Sequence, residues 1–233
     1  MDKLPDPKSD QKRESVQTPQ ARVRDSLYKH YKARGRKKYN LWLVYSPKLN
    51  RDIIIDSDKQ LIYWLHFLES DPTVESFLLH DKQNRADPDF FVTFRGGERR
   101  ADFLQLPPES NLKPSVTYFD NKVWENRFIQ EDELIKTSQQ AQRWLKPIMF
   151  AAAIREQQLL PLHNTLIIAE HKYKSGILAD LLAESSGHDS MKVLGMVMRH
   201  FTEGRILLEL SNATFGNNTP WKISTGERHE NSD

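Results

Sequence analysis

The first regular pattern of apolar and polar positions begins at residue 40 and predicts two short strands. Residues 40–45 are mostly apolar, and residues 52–55 are rich in β-branched side chains, which favour strands. Between them, residues 46–51 contain a proline and an asparagine and predict a turn. The folded part of the chain is therefore predicted to start near residue 40.

An apolar stripe at helical spacing follows. Leu61, Trp64, Leu65 and Leu68 repeat at i, i+3, i+4 and i+7, which places them on one face of a helix that packs on a core. The preceding residues 56–58 read Asp-Ser-Asp and offer side-chain oxygens for an N-cap. The pattern predicts a helix that starts there and covers a sheet.

Three strands are predicted next. Residues 74–79 form one, and residues 89–94 and 100–106 form a β-hairpin with two glycines in its turn. The hairpin brings Asp89, at the start of its first strand, close to Gln105–Pro107 at the end of its second.

The second half of the chain predicts mainly helices. A helix starts near residue 130, and residues 140–158 form one or two well-buried helices interrupted at Pro147. Then come a helix, a turn, a second helix and two strands, which is the order of a winged helix. Their ranges are 175–184, 185–189, 190–201, 205–210 and 221–224.

In this winged-helix-like domain, one set of residues is predicted to form the core: Leu178, Leu181, Leu182, Val193, Val197 and Phe201. A second set is a candidate surface for DNA or a protein: Lys192, Arg199, His200 and Arg205. A helical pair that packs on a hairpin without any ligand is the alternative.

Composition limits the classes of function. The chain has 233 residues, 38% of them hydrophobic, with no apolar run of membrane-spanning length and no secretory signal, so we expect a cytoplasmic protein. The absence of cysteine excludes disulfides, thiolate zinc sites and a cysteine nucleophile. The eight histidines lack metal-ligand spacing, and no nucleotide-binding glycine loop occurs.

Positive charge is concentrated at the start of the chain. Residues 1–40 contain 12 Lys or Arg and 5 Asp or Glu, whereas the rest of the chain is net acidic. Basic residues interleaved with tyrosines favour contact with a phosphate backbone, although a solvated basic tail is the alternative. The candidate DNA contacts of this arm are Arg22, Arg24, Lys29, Lys32, Arg34, Arg36, Lys37 and Lys38.

The candidate chemistry is metal-dependent cleavage of a phosphodiester. Such a site uses hard oxygen ligands for Mg²⁺ and a lysine that orients or activates water, in the order helix Glu, then Asp and (Glu/Gln)-x-Lys on a hairpin. Here the order survives as Gln60, Asp89 and Gln105–Pro107. Among these residues only Asp89, the candidate metal ligand, keeps the expected chemistry, and its alternative role is to form the turn after Pro88.

These residues carry a resemblance to a known family. Residues 46–107 resemble the nuclease domain of TnsA, the endonuclease subunit of heteromeric DNA transposases, which has a restriction-endonuclease-like fold. The matching motifs are Ser-Pro-Lys at 46–48 with Arg51, Asp-Pro-x-Val at 71–74 and Pro-Asp-Phe-x-Val at 88–92. Two motifs depart from the family: Gln60 stands where it has its catalytic Glu, and Pro107 where it has Lys.

The resemblance implies a DNA-binding transposition subunit with impaired cleavage. It implies double-stranded transposon-end DNA, a DDE-type transposase subunit and an AAA+ regulator as partners, Mg²⁺ if the site is active, and a bacterial, nucleoid-associated location. Lys48, Arg51, Lys192 and Arg199 complete the candidate DNA contacts. The fold class expected is α/β, with a mixed sheet and flanking helices, followed by a mostly α winged-helix-like domain.

Two other functions stay open. An active endonuclease would need a substitute for the missing Glu, from Asp56, Asp58 or Glu69, and for the lysine, from Lys113 or Arg99. Asp102 would become a ligand if the strand register differed by one residue. A non-enzymatic winged-helix DNA-binding regulator is the other alternative.

Four segments are predicted in all. They are a basic arm at 1–39, the nuclease-fold domain at 40–124, the helical winged-helix-like domain at 125–225 and a tail at 226–233.

Overall fold

The first element of the fold is an antiparallel hairpin at the start of the described chain. The structure, a computed structural model, describes Lys29, Lys32 and residues 41–56, 59–80, 87–104 and 115–224. Strands β1 (Leu41–Ser46) and β2 (Arg51–Asp56) pair through a turn at residues 47–50, as the sequence predicts.

A five-stranded mixed sheet follows the helix α1 (Lys59–Ser70). Its strand order is β3-β4-β5-β7-β6, and only the β5–β7 pair is parallel. The predicted hairpin is confirmed as β4 and β5, with Gly97 at φ +86° in its turn, where a side chain would be strained. The strands are β3 (Val74–Leu79), β4 (Phe90–Phe94), β5 (Arg99–Phe103), β6 (Val116–Phe119) and β7 (Lys122–Phe128).

The predicted apolar stripe of α1 covers one face of this sheet. Trp64, Leu65 and Leu68 are fully buried, and they form a core with side chains such as Phe90 and Val92 from β4. Residues of the opposite parity, including Phe91 and Phe103, form a smaller core on the other face. Alternation along the strands therefore gives a sheet that buries side chains on both faces.

A single long helix, α2 (Glu131–Ala153), connects this first unit, residues 41–128, to the rest of the chain. The predicted interruption at Pro147 is wrong, since the helix continues through it. Packing against α1 before the proline and against later helices after it offsets the backbone hydrogen bond that proline removes. The predicted domain boundary between residues 124 and 125 falls inside β7.

The second unit, residues 160–224, is a small sheet with three helices. Its strands pair antiparallel in the order β8-β10-β9. The predicted core is present: five of the six residues named from the sequence are buried, and Leu182 packs against them partly buried. The elements are α3 (Leu160–Tyr173), β8 (Ser175–Ile177), α4 (Leu178–Glu184), α5 (Ser190–Thr202), β9 (Ile206–Leu208) and β10 (Pro220–Ile223).

One local prediction in this unit is wrong. Residues 175–177 form strand β8 rather than the first turn of a helix, because Gly176 pairs with Trp221 of β10. The helix starts at Leu178, where the Asp180 carboxylate accepts a hydrogen bond from the backbone N–H of Ile177, at 2.9 Å. A long-range strand pair therefore overrides the local helical pattern.

Helix α5 is covered on nearly all sides. From Val193 to Phe201 every residue is buried except Leu194 and Arg199, which are partly buried. Helix α2 approaches so closely at Gly195 that a Cβ there would lie 2.7 Å from the backbone oxygen of Phe150. Only the first turn of α5 is exposed.

In the described ranges, no helix is both long and apolar enough to cross a membrane.

Candidate functional site

The end of the β4–β5 hairpin forms the candidate site. Asp89 is 6% exposed, and its Oδ2 accepts a hydrogen bond from the backbone N–H of Leu104 at 2.7 Å. Its own backbone N–H donates to the carbonyl of Asp102 at 2.8 Å. These two bonds hold the Asp89 carboxylate beside the chain that leads directly into Gln105. Gln105 and Pro107 themselves lie outside the described residues.

Helix α1 is fixed to the same strand by one buried polar contact. The indole N–H of Trp64 donates to Oδ2 of Asp102 at 2.9 Å. Gln60 lies one turn before Trp64 and is partly buried. Helix α1, which carries Gln60, therefore contacts β5 at Asp102. Asp102 lies two residues before Leu104, whose backbone N–H binds Asp89.

Asp102 is a structural carboxylate in this arrangement. It is fully buried, and Arg100 donates to Oδ1 at 2.6 Å and to Oδ2 at 3.1 Å. Burial raises the pKa of Asp102, and the ion pair with Arg100 opposes that rise. Asp102 pairs with Phe90 and both of its oxygens accept hydrogen bonds from Trp64 and Arg100, which disfavours its alternative role as a metal ligand.

Glu69 lies too far along α1 to replace Gln60. The two residues are nine positions apart, about 13 Å along a helix at 1.5 Å per residue. Glu69 is fully buried and accepts hydrogen bonds from the Ser46 hydroxyl and, at 3.2 Å, from the backbone N–H of Lys48. Its carboxylate holds the β1–β2 turn against the last turn of the helix.

Lys48 supports the same junction. Its ammonium donates to the carbonyl oxygens of Leu68, at 2.7 Å, and Asp71, so it caps the C-terminal end of α1. Burial lowers the pKa of Lys48 to about 8 and raises the pKa of Glu69 to about 7. The Ser-Pro-Lys motif, predicted to contact DNA through Lys48, therefore points its charge into the protein.

Arg99 also fails as a substitute for the missing lysine. It pairs with Thr93 beside the hairpin turn, at the opposite end of β5 from Leu104. The side chains of Asp56, Asp58 and Lys113 lie outside the described residues. Within the part of the chain that the structure describes, no three His, Cys, Asp or Glu residues are grouped so that they could hold a metal ion.

The other predicted DNA contacts fall into three groups. Arg199 donates to the carbonyls of Gln157, at 2.8 Å, and Ile154, at 2.5 Å, and so binds the chain just after α2. Lys192 and Arg51 are exposed, as are Lys29 and Lys32, which are helical. The arm residues outside the described ranges are Arg22, Arg24, Arg34, Arg36, Lys37 and Lys38.

An arginine-lined cleft at the turn of the β4–β5 hairpin was missed as a unit by sequence reasoning. Its volume is about 950 Å³, and it is lined by Arg95, Arg99, Arg100 and Arg127 together with two glutamates. Three of these arginines already bind protein groups. Arg95 donates to the carbonyls of Pro72 and Thr202, Arg100 to Asp102, and Arg127 to Glu133. Arg99 is exposed. The sequence signal was the triplet of arginines around Gly96-Gly97.

The arginines of this cleft offer N–H donors suited to an anion. A guanidinium has five N–H donors in a planar fork, so an arginine that binds one carboxylate keeps donors for a phosphate. The cleft also borders Leu207 and Ser224 of the second unit. We call it the arginine cleft below.

No protein-family model matches the chain, and no curated protein matches it significantly in sequence.

The buried Glu69 predicts an unusual pH dependence of stability. Between pH 4.5 and about 7 the unfolded chain ionises residue 69 while the folded chain keeps its proton, so the free energy of unfolding falls as pH rises. Glu69→Gln removes this loss. We expect urea denaturation to show the variant gaining about 1–3 kcal/mol over the wild type across that range.

Glu75→Gln is the matched control, since Glu75 is exposed on β3. Its stability curve should run parallel to that of the wild type. Measurements stay below pH 7, so that Lys48, with its pKa of about 8, does not titrate. A Glu69→Gln curve that is also parallel to the wild type contradicts the assignment.

Proposed function

We propose that this chain is a TnsA-like, DNA-binding subunit of a DNA transposition system, with a nuclease-type site that has lost most or all of its cutting activity. The observation that carries the proposal is the bond between Asp89 and Leu104. This hydrogen bond supports the proposal because, in a restriction-endonuclease-like hairpin, the metal-binding aspartate lies beside the end of the next strand. That strand end carries the remaining catalytic residues.

The loss of cutting follows from the residues at the other two positions. Gln60 offers a neutral amide where Mg²⁺ favours a carboxylate, and Pro107 has no ammonium to orient or activate water. The one carboxylate left, Asp89, already accepts a backbone hydrogen bond. Together these residues fit an Mg²⁺ site poorly, and fewer charged ligands mean weaker metal binding and less stabilisation of the transition state.

DNA binding is proposed for the arginine cleft and the basic N-terminal arm. The cleft lies on the same hairpin as Asp89, at its other end. Arginine pairs bidentately with phosphate, and each phosphate contact releases counterions from the duplex. Transposon-end DNA, a DDE-type transposase subunit, an AAA+ regulator and a nucleoid-associated, cytoplasmic location belong to this proposal through the family resemblance.

A second candidate is a winged-helix regulator without catalytic function. The order β8, α4, α5, β9, β10 favours it, because a winged helix has two helices followed by a two-stranded wing. The recognition helix of such a domain lies in the major groove, whereas α5 is covered by α2 from Gly195 onward. Only its first turn, with Lys192, is open to DNA.

The two candidate functions predict that different substitutions weaken DNA binding. Arg99→Glu should weaken binding to duplex DNA by roughly tenfold and reduce the salt dependence of the affinity, because it removes a phosphate contact. Fluorescence anisotropy with a labelled duplex at several salt concentrations measures both. Lys136→Glu makes the same charge change on an exposed face of α2 and should leave the affinity nearly unchanged.

Lys192→Glu decides between the candidates. If DNA binds at the arginine cleft, this variant behaves like Lys136→Glu. A large loss of affinity in Lys192→Glu, with none in Arg99→Glu, would favour the winged-helix regulator.

The degenerate site predicts that metal binding can be restored. The double change Gln60→Glu with Pro107→Lys restores the carboxylate and the lysine that the family pattern pairs with the aspartate at position 89. We expect calorimetry to detect no binding of Mg²⁺ or Mn²⁺ to the wild type and measurable binding to the double variant. Adding Asp89→Ala to the double variant is the control and should abolish the gain. Titration curves that stay flat in the double variant count against a metal site shared by positions 60, 89 and 107.

A further inference from the structure

A pocket with mostly apolar walls lies between the β1–β2 hairpin and the helices α1 and α2. Its volume is about 750 Å³, and its lining includes residues 42–45 of β1, Ile62 and His66 of α1, and Leu145 and Met149 of α2. None of the residues that line it also lines the arginine cleft. We call it the apolar pocket below.

Large apolar side chains remain exposed in the lining of this pocket. Trp42, Leu43, Leu145 and Met149 are each more than a third exposed, and Met149 is 70% exposed. A cluster of exposed apolar side chains around a concavity is typical of a binding site, because a ligand there removes apolar surface from water.

The charges in the lining favour a neutral ligand. Two lining residues, Asp52 and Arg155, carry a full charge, and they form an ion pair of 2.9 Å with each other. The Arg155 guanidinium also lies 5.7 Å from the centre of the Tyr45 ring. A charged ligand would therefore exchange water for apolar walls and an ion pair that is already complete, which is unfavourable.

His66 places a hydrogen-bond acceptor in the wall. Its Nδ1 lies 2.7 Å from the carbonyl oxygen of Ile62, which can only accept, so Nδ1 carries the proton. Burial lowers the pKa of His66, so the ring is neutral at pH 7 and Nε2 keeps its lone pair. Nε2 lies on the side of the ring away from Ile62 and has no partner among the described residues.

The other polar side chains do not determine what a ligand must carry. The Tyr45 hydroxyl donates to Oδ1 of Asn50 at 2.8 Å. The Tyr63 hydroxyl and the Gln142 amide can each donate and accept. His66 alone among these side chains requires a donor from the ligand.

The size of the pocket favours a small molecule over a docked helix. A helix about 10 Å wide fills ~420 Å³ per turn of 5.4 Å, so the pocket has room for less than two turns. Helices that dock in apolar grooves use side chains spread from i to i+7, which is two turns. Pockets for small molecules measure about 300–1,000 Å³ and combine apolar walls with a few polar groups.

We propose that the apolar pocket binds a small, neutral molecule with an apolar ring system and one N–H or O–H group that donates to Nε2 of His66. The apolar walls supply most of the affinity, and His66 selects for the donor. Trp42 and Tyr63 in the lining favour a ring, since aromatic side chains pack well against other rings. This site is independent of the proposed DNA binding and of the metal site.

The first test is a fluorescence titration of the protein with N-phenyl-1-naphthylamine. This dye is neutral, has one N–H group and fluoresces more strongly in apolar surroundings. We expect saturable binding at one site per chain. Met149→Glu brings a carboxylate to the pocket and should weaken binding by roughly tenfold.

Ile135→Glu is the matched control for that variant. Ile135 is 61% exposed on the same helix and does not line the pocket, so the variant should bind the dye like the wild type. Dye binding that does not saturate, or that weakens equally in both variants, overturns the proposal.

The second test compares two ligands on the wild type, so it does not depend on the folding of a variant. 1-Naphthol and its methyl ether share a ring system, but only the naphthol has a donor for His66. In competition with the dye, we expect the naphthol to bind about threefold to tenfold more tightly. His66→Phe should abolish this preference. Equal affinity, or a preference for the ether, contradicts the role of His66.

Light scattering on the same samples tests the other occupants. A mass that rises with protein concentration in the wild type but not in Met149→Glu would show that a second copy of the chain covers the pocket. A wild type that stays monomeric and does not bind the dye would leave a macromolecular partner as the occupant. Either result overturns the small-molecule assignment.

Discussion

The shared helix α2 is the constraint on which the rest of the structure depends. Its first half completes the core of the first unit through Leu134, and its second half enters the core of the second unit through Trp144 and Ile148. Trp144 contacts Phe201 of α5 with ring centroids 4.6 Å apart. Because one helix contributes to both cores, each unit buries part of its apolar surface against that helix.

Polar contacts along α2 fix the two units further. Gln140 donates to the hydroxyl of Ser70 at the end of α1, at 3.2 Å. Just beyond the helix, Arg155 forms an ion pair of 2.9 Å with Asp52 in the first hairpin. The same packing covers α5 at Gly195. Because α2 covers α5, the second unit lacks the open helix face that a winged helix presents to DNA. The hairpin of the first unit is therefore the better DNA-binding candidate.

Local periodicity predicted much of the fold. The stripe of α1, the β4–β5 hairpin and the buried positions of α4 and α5 were correct because each depends on neighbours within a few residues. The errors involve distant partners. Ser175–Ile177 pairs with a strand more than 40 residues later, and Pro147 is tolerated because of packing on both sides.

The candidate site was predicted less completely, for a related reason. Asp89 accepts a hydrogen bond from the backbone N–H of Leu104, whereas its predicted neighbours Gln105 and Pro107 lie outside the described residues. Lys48 and Arg199 were assigned to DNA, but both turn inward to carbonyls near helix ends. Long side chains can point to solvent or to buried acceptors, and the sequence around them does not distinguish the two.

The central proposal is that the scaffold around Asp89 binds DNA but no longer cuts it. The most direct measurement is a cleavage assay on duplex DNA, using the purified protein and Mg²⁺ or Mn²⁺. The account predicts a retarded protein–DNA complex with intact strands. Metal-dependent nicking that disappears in Asp89→Ala would contradict it and identify an active endonuclease.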